Sequence, residues 1–206
     1  ALEVPGVGAV AGGIDEKHAS PGSSRRTGRF DRWTATPRGA FDRRDWTETE
    51  HGRGCNFSAW RTALRAAGGV DESLNVGAAL YEETDLFLRI RQAGYRVWFN
   101  GDARLTHLAA PSGGCRVDQV EAYVHALARN RSVLIRRHTR PYHRPTAFGR
   151  LALLAASYAR AYRQPRALRA ALRGVVEGWR VGGLTPSCTP TAVGEAGTQQ
   201  KAVPLR

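Results

Sequence analysis

The densest group of reactive side chains is Glu82-Glu83-Thr84-Asp85, three carboxylates within four residues. Like charges packed this closely raise a carboxyl pKa toward the range in which it accepts a proton at neutral pH. The same residues also suit a plain helix start. Acidic side chains favour the positive end of the helix dipole, and Asp85 and Arg89 stand at the i,i+4 spacing of an ion pair. Further groups able to act on a polar ligand are Asn56, His107, Arg89 and Arg91. Each has an ordinary reading as well: a turn-stabilising amide, a strand residue, and a solvated helix face for at least one of the arginines.

The elements that must position these groups follow from periodicity. Residues 7–14 are small, apolar and glycine-rich and read as a buried strand entering a turn. Residues 15–54 are polar and rich in Ser, Gly, Pro and Arg, a length that compact domains leave unstructured only when the loop is functional or disordered. Trp60, Ala63, Leu64 and Ala67 recur at helical spacing until Gly68-Gly69. A second helix begins near Glu82, with Leu86, Phe87, Ile90 and Ala93 on one face and Gly94 at its end. Residues 95–99 alternate as a strand, Asn100-Gly101-Asp102 turns, and residues 104–108 read as a further strand.

Beyond Gly113-Gly114 the pattern becomes helical. Val117, Val120, Val124, Leu127 and Leu134 share a face up to His138, and Pro141 and Pro145 interrupt. One further helix runs through Phe148, Leu151, Leu154, Ala155, Tyr158 and Tyr162. The last starts at Pro165, with Leu168, Leu172, Val175 and Trp179 expected inward and Arg166, Arg169, Arg173 and Arg180 outward. From Gly182 no period remains, and a disordered tail over 182–206 is expected.

Composition narrows the classes. A formal charge of +13, carried by arginine with only Lys17 and Lys201 as lysines, admits an anionic partner. The three cysteines, Cys55, Cys115 and Cys188, are far apart and suggest neither a disulfide framework nor a zinc site. No secretory pattern and no long apolar run occurs, which points to the cytoplasm. The chain has no Met at all, which suggests a natural start upstream.

Taken together, Gly54-Cys55-Asn56-Phe57-Ser58-Ala59-Trp60-Arg61, Ala67-Gly68-Gly69-Val70-Asp71-Glu72, Glu82-Glu83-Thr84-Asp85-Leu86, Arg89 to Tyr95 and Leu105-Thr106-His107 resemble family-2 glycosyltransferases. That family has the same order of a G-x-N strand, an Arg-containing helix, a GGFDE turn, an EDxD-type motif, an RxxxxGY helix end and a strand closing on His. The resemblance runs from Val7 to Arg116 and is loose beyond. It implies a partial α/β fold of the GT-A type with a helical appendage. Residues 1–115 would be the acceptor-side half of the transferase domain and 116–181 a helical extension.

The activity implied is inverting transfer of a sugar from a nucleotide-sugar donor to a hydroxyl of a glycan or lipid-linked acceptor, in cell-envelope polysaccharide synthesis. A hydroxyl is a poor nucleophile at neutral pH and needs a positioned carboxylate. Glu83 stands where the family has the Asp of its ED pair and is the first candidate for base, with Glu82 and Asp85 as alternatives. Asn56 and Trp60 fall on the acceptor side, Arg89 and Arg91 toward the diphosphate, and His107 toward a divalent cation, Mg or Mn, that neutralises the leaving group. Gly113-Gly114 would lie in a closing loop or an ordinary turn. No Asp-x-Asp occurs, since Asp42-Arg43-Arg44-Asp45 has the wrong spacing, so the nucleotide-binding half is expected to lie outside these 206 residues and the isolated chain to turn over little.

The rival class is a basic module gripping nucleic acid through residues 25–53 and the last helix, although no recognisable nucleic-acid-binding motif is present. Compatible with the transferase reading is peripheral attachment to an anionic membrane surface, on the inner face of the cell membrane, through the helices of 148–180.

Overall fold

The computed structural model describes residues 4–16, 27–108 and 119–184. The expected loop at Gly113-Gly114, Cys115, Cys188 and the tail beyond residue 184 lie outside the described residues. The fold is mixed α/β, as expected, with a mixed parallel and antiparallel sheet and five α-helices among the described residues.

The central strand β1 (Val7–Glu16) is built of small apolar residues, with Val7, Ala9, Ala11 and Ile14 buried. Such a run suits a strand covered on both faces. Residues 27–50 are ordered where the polar composition suggested a functional or disordered loop. They form a hairpin of β2 (Arg29–Asp31) and β3 (Thr36–Arg38), then β4 (Trp46–Thr49). Isolated aromatics anchor the segment: Phe30 and Phe41 are buried, and the buried Glu50 carboxylate accepts from the Phe30 amide at 2.8 Å and from Arg32 at 2.7 Å. No periodicity announces this, because each anchor is a single residue in a polar run.

Next come β5 (Phe57–Ala59), α1 (Arg61–Ala66), a 3-10 turn at Glu72–Leu74, α2 (Glu82–Gln92) and β6 (Arg96–His107). The sheet order is β4-β6-β1-β5, with β1 and β6 parallel and both outer strands antiparallel. Where the sequence suggested two strands flanking a turn at Asn100-Gly101-Asp102, β6 is one strand with a bulge. Its register against β1 jumps from Gly12↔Asn100 to Gly13↔Arg104. The chain swings out and re-pairs instead of reversing, because β1 continues alongside to Glu16 and offers further ladder partners.

A helical layer follows: α3 (Val120–His138), α4 (Arg144–Ala161) and α5 (Arg166–Gly182), with Pro141 and Pro145 at the α3–α4 break. One core cluster lies on the sheet, with Ala11, Phe99 and Val97 against Leu86, Phe87 and Ile90 of α2. A second lies among α3, α4 and α5 and includes Leu88 of α2. Being packed on two sides, α2 is buried continuously from Thr84 to Ile90.

The inward face of α5 differs from expectation. Val175 and Trp179 are partly buried, but the contact face is Ala167, Ala170, Ala171, Gly174, Gly178 and Gly182, while Leu168 and Leu172 point outward. A Cβ on Gly174 or Gly178 would overlap backbone atoms of His125 and Arg129 in α3. The two helices therefore approach too closely for leucine between them. No helix of the described residues is long and apolar enough to cross a membrane.

Candidate active site

Through Gly94, α2 leads directly into β6 and packs on β1 and β6, so it runs back along the parallel pair. Its first turn is thereby directed toward the carboxyl side of these strands, where open α/β sheets hold ligands. The residue capping that turn, Tyr81, has φ of +70°, a left-handed conformation uncommon outside glycine. Arg131 of α3 holds it there by donating to the Tyr81 hydroxyl at 3.0 Å and lying over the ring. Arg131 also bonds the Thr34 carbonyl at 3.2 Å and the Thr36 hydroxyl, which ties the β2–β3 hairpin to the same point. Tyr81 and Arg131 carry no sequence signature for this role.

Glu82 and Glu83 open the helix and are both half-buried. The Glu83 carboxyl is pushed up to about 7, first by burial and then by the negative charge of Glu82, which together outweigh its own backbone N–H and the charge of Arg53. A helix N-terminus favours the ionised form, and at Glu83 desolvation exceeds that preference. The Oε2 atom of Glu82 is buried without a hydrogen-bond partner among the described residues. Beside the pair runs Gly52-Arg53-Gly54, where a Cβ on Gly54 would stand 3.7 Å from that of Glu83. Sequence reading placed Gly54 in the G-x-N strand and Arg53 in the basic segment 25–53, and brought neither to the Glu82–Glu83 pair, although the Gly-x-Gly spacing marks a close approach of backbone.

Two positions along the helix, Asp85 has a different setting. Its side chain is wholly buried and accepts from Arg89 Nε at 2.7 Å, His138 Nε2 at 2.8 Å and Arg137 at 3.3 Å. Arg137 also pairs with Asp71 at 2.7 Å. Burial alone would raise the Asp85 pKa, yet the His138 hydrogen bond and the charges of His138, Arg89 and Arg137 hold it well below the usual carboxylate range. Asp85 is corrected from alternative base to structural anion: it is enclosed by cations and joins α2 to α3. Arg89 is corrected with it. Its guanidinium is fully buried, donating to Asp85, to the Gly69 carbonyl at 2.7 Å and to the Ala67 carbonyl, so it does not face a diphosphate. Arg91 belongs to the far end of the helix, where it pairs with Glu48 at 2.9 Å and the Thr49 carbonyl at 3.0 Å and ties α2 to β4.

Asn56 is a strut at the bulge. Its amide nitrogen donates to Gly13 O at 2.9 Å and Ala103 O at 2.8 Å, and its own carbonyl accepts from Gly12 at 2.9 Å. Both amide hydrogens are thereby used within the fold, so the expected contact of Asn56 with an acceptor could not use its amide N–H groups. Trp60 packs on the sheet core, and its backbone N–H bonds Gly8 O, four residues along β1 from the Gly12 amide that bonds Asn56. His107 is exposed in register with Glu16, four residues past Ala103 and hence about 13 Å further along the strand.

Among the described residues, no group of three or more His, Cys, Asp or Glu could hold a metal ion. Of the expected site, Glu82 and Glu83 come together beside Arg53-Gly54, and Asp85, Arg89, Arg91, Trp60 and His107 go elsewhere. Among the described residues of the segment assigned to anion binding, Arg29 and Arg32 pair with Glu50, Arg38 with Asp31, Arg43 with Asp45 and Arg44 with Asp102. No protein-family model matches the chain, and no curated protein matches it at a significant level.

Proposed function

We propose that Glu83 is the general base of an inverting sugar transfer from a nucleotide-sugar to the hydroxyl of a glycan or lipid-linked acceptor, within a partial GT-A-type fold. The observation that carries this reading is the half-buried Glu83 carboxyl, pushed up to about 7 beside Glu82 at the start of α2. A base is most effective when its pKa lies near the working pH, since it is then both ionised and able to hold the proton it takes. In the step proposed, the acceptor oxygen attacks the anomeric carbon while Glu83 takes the hydroxyl proton. The bond from that carbon to the diphosphate breaks, the nucleoside diphosphate leaves with the electron pair, and the configuration inverts. Glu82 keeps the Glu83 carboxylate basic, and the clamp of Arg131 on Tyr81 fixes the turn that carries both.

Pairing of the arginines between positions 29 and 44 with carboxylates weighs against the nucleic-acid alternative, because paired guanidiniums release fewer counterions from phosphate. The test is transfer from a panel of nucleotide-sugars to glycan and lipid-linked acceptors, by the 206-residue chain and by any longer product of the same reading frame. Transfer by the latter is expected to rise with pH through about 7 and to fall by at least about 100-fold in Glu83→Gln. Transfer retained by that variant would contradict the assignment.

A further inference from the structure

We propose that α5 is a membrane-docking helix that lies in the plane of an anionic lipid bilayer, its leucine stripe entering the acyl boundary and its arginine row meeting the headgroups. The surface is set by the packing of the opposite side. Glycine and alanine face α3 so closely that a Cβ on Gly178 would overlap the Arg129 carbonyl, so Leu168, Leu172 and Val176 of α5 are left on the outer side. Leu168, Leu172 and Val176, four residues apart, form one stripe and are 46%, 67% and 45% exposed. Arg166, Arg169, Arg173 and Arg180 form the adjoining row, and none of them makes an ion pair among the described residues.

Charge selects the occupant. Between residues 144 and 184 the only carboxylate is Glu177, which is engaged by His125 at 3.2 Å, against eight arginines. A second copy of this chain would set arginine row against arginine row, and an uncharged surface would leave the row unneutralised. A bilayer bearing anionic headgroups satisfies both stripes at once. The helix lies on the membrane and does not cross it, since no described helix is apolar enough to span. The surface is separate from Glu82 and Glu83, so this inference stands or falls independently of the proposed transfer.

The test is flotation of the whole 206-residue protein with vesicles of phosphatidylcholine alone and of phosphatidylcholine mixed with phosphatidylglycerol. Binding is expected to the mixed vesicles only and to weaken as salt is raised. The double variant Arg169→Gln/Arg173→Gln is expected to bind about 30-fold more weakly and Leu168→Gln/Leu172→Gln at least about tenfold more weakly, both with an unchanged circular-dichroism spectrum because the four side chains are exposed. Failure to float with the mixed vesicles overturns the inference. So does wild-type binding by both double variants, which would place the contact elsewhere in the chain, or a dimer in sedimentation that Leu168→Gln/Leu172→Gln dissolves, which would make the stripe a self-association surface.

Discussion

Glu83 and Asp85 sit two positions apart on α2, start from nearly the same intrinsic acidity, and end at opposite extremes. Residues at i and i+2 do not share a helix face. Glu83 turns toward Gly54 and meets burial with a second carboxylate beside it, whereas Asp85 turns toward α3 and meets burial with His138, Arg89 and Arg137 around it. Burial opposes ionisation in both cases. What separates them is the sign of the neighbouring charge, and that is a property of the packing partner and not of the acidic motif. A compact acidic cluster thus splits into a fixed anion that holds the helix and a carboxyl whose ionisation is opposed both by burial and by its neighbour.

The largest effect expected on this contrast comes from removing the fixed anion. Asp85→Ala leaves Arg89 and Arg137 buried without their shared carboxylate and is expected to destabilise the fold by about 3–5 kcal/mol in urea unfolding at pH 7. A loss under about 1 kcal/mol would show that the cluster is not the anchor of α2.

Glu83→Gln tests the other half with the opposite sign. Because the folded pKa is raised, the contribution of Glu83 to stability is fully present below its unfolded value, near 4.5, and is lost as pH rises through about 7. The neutral variant is therefore expected to match wild type near pH 4 and to exceed it at pH 8 by up to about 3 kcal/mol. No gain at pH 8 would mean that Glu83 is ionised at little cost. Glu82→Gln, which removes the like charge and leaves the burial, is expected to narrow that pH window from its upper end. Smallest of all is Arg91→Gln, which breaks a partly exposed pair with Glu48 and is expected to cost less than about 1 kcal/mol in the same unfolding assay.

Local pattern carried most of the helices. The spacing of Leu86, Phe87, Ile90 and Ala93 with Gly94 marks α2 closely, and Pro141 and Pro145 mark the break after α3. Less was legible where a long-range partner decides. Asn100-Gly101-Asp102 has turn chemistry and becomes a bulge because β1 runs on beside it, and Phe30 and Phe41 order a segment whose composition reads as loop. On α5 the leucines look like a core face, and only the closeness of α3 shows that glycine and alanine take that place. In the candidate site the residue types drew attention to the first turn of α2, yet spacing alone did not separate Glu83 from Asp85. That separation depends on His138 and Arg137, more than fifty residues further along the chain.

The most direct measurement is the titration of the Glu83 side-chain carboxyl by carbon-13 NMR in the folded protein, assigned through its loss in Glu83→Gln. A midpoint close to 7 is the result expected of a carboxylate buried beside Glu82 and poised to take a proton at neutral pH. A midpoint near 4.5, the ordinary value for a glutamate, would contradict a proton-accepting role for the first turn of α2.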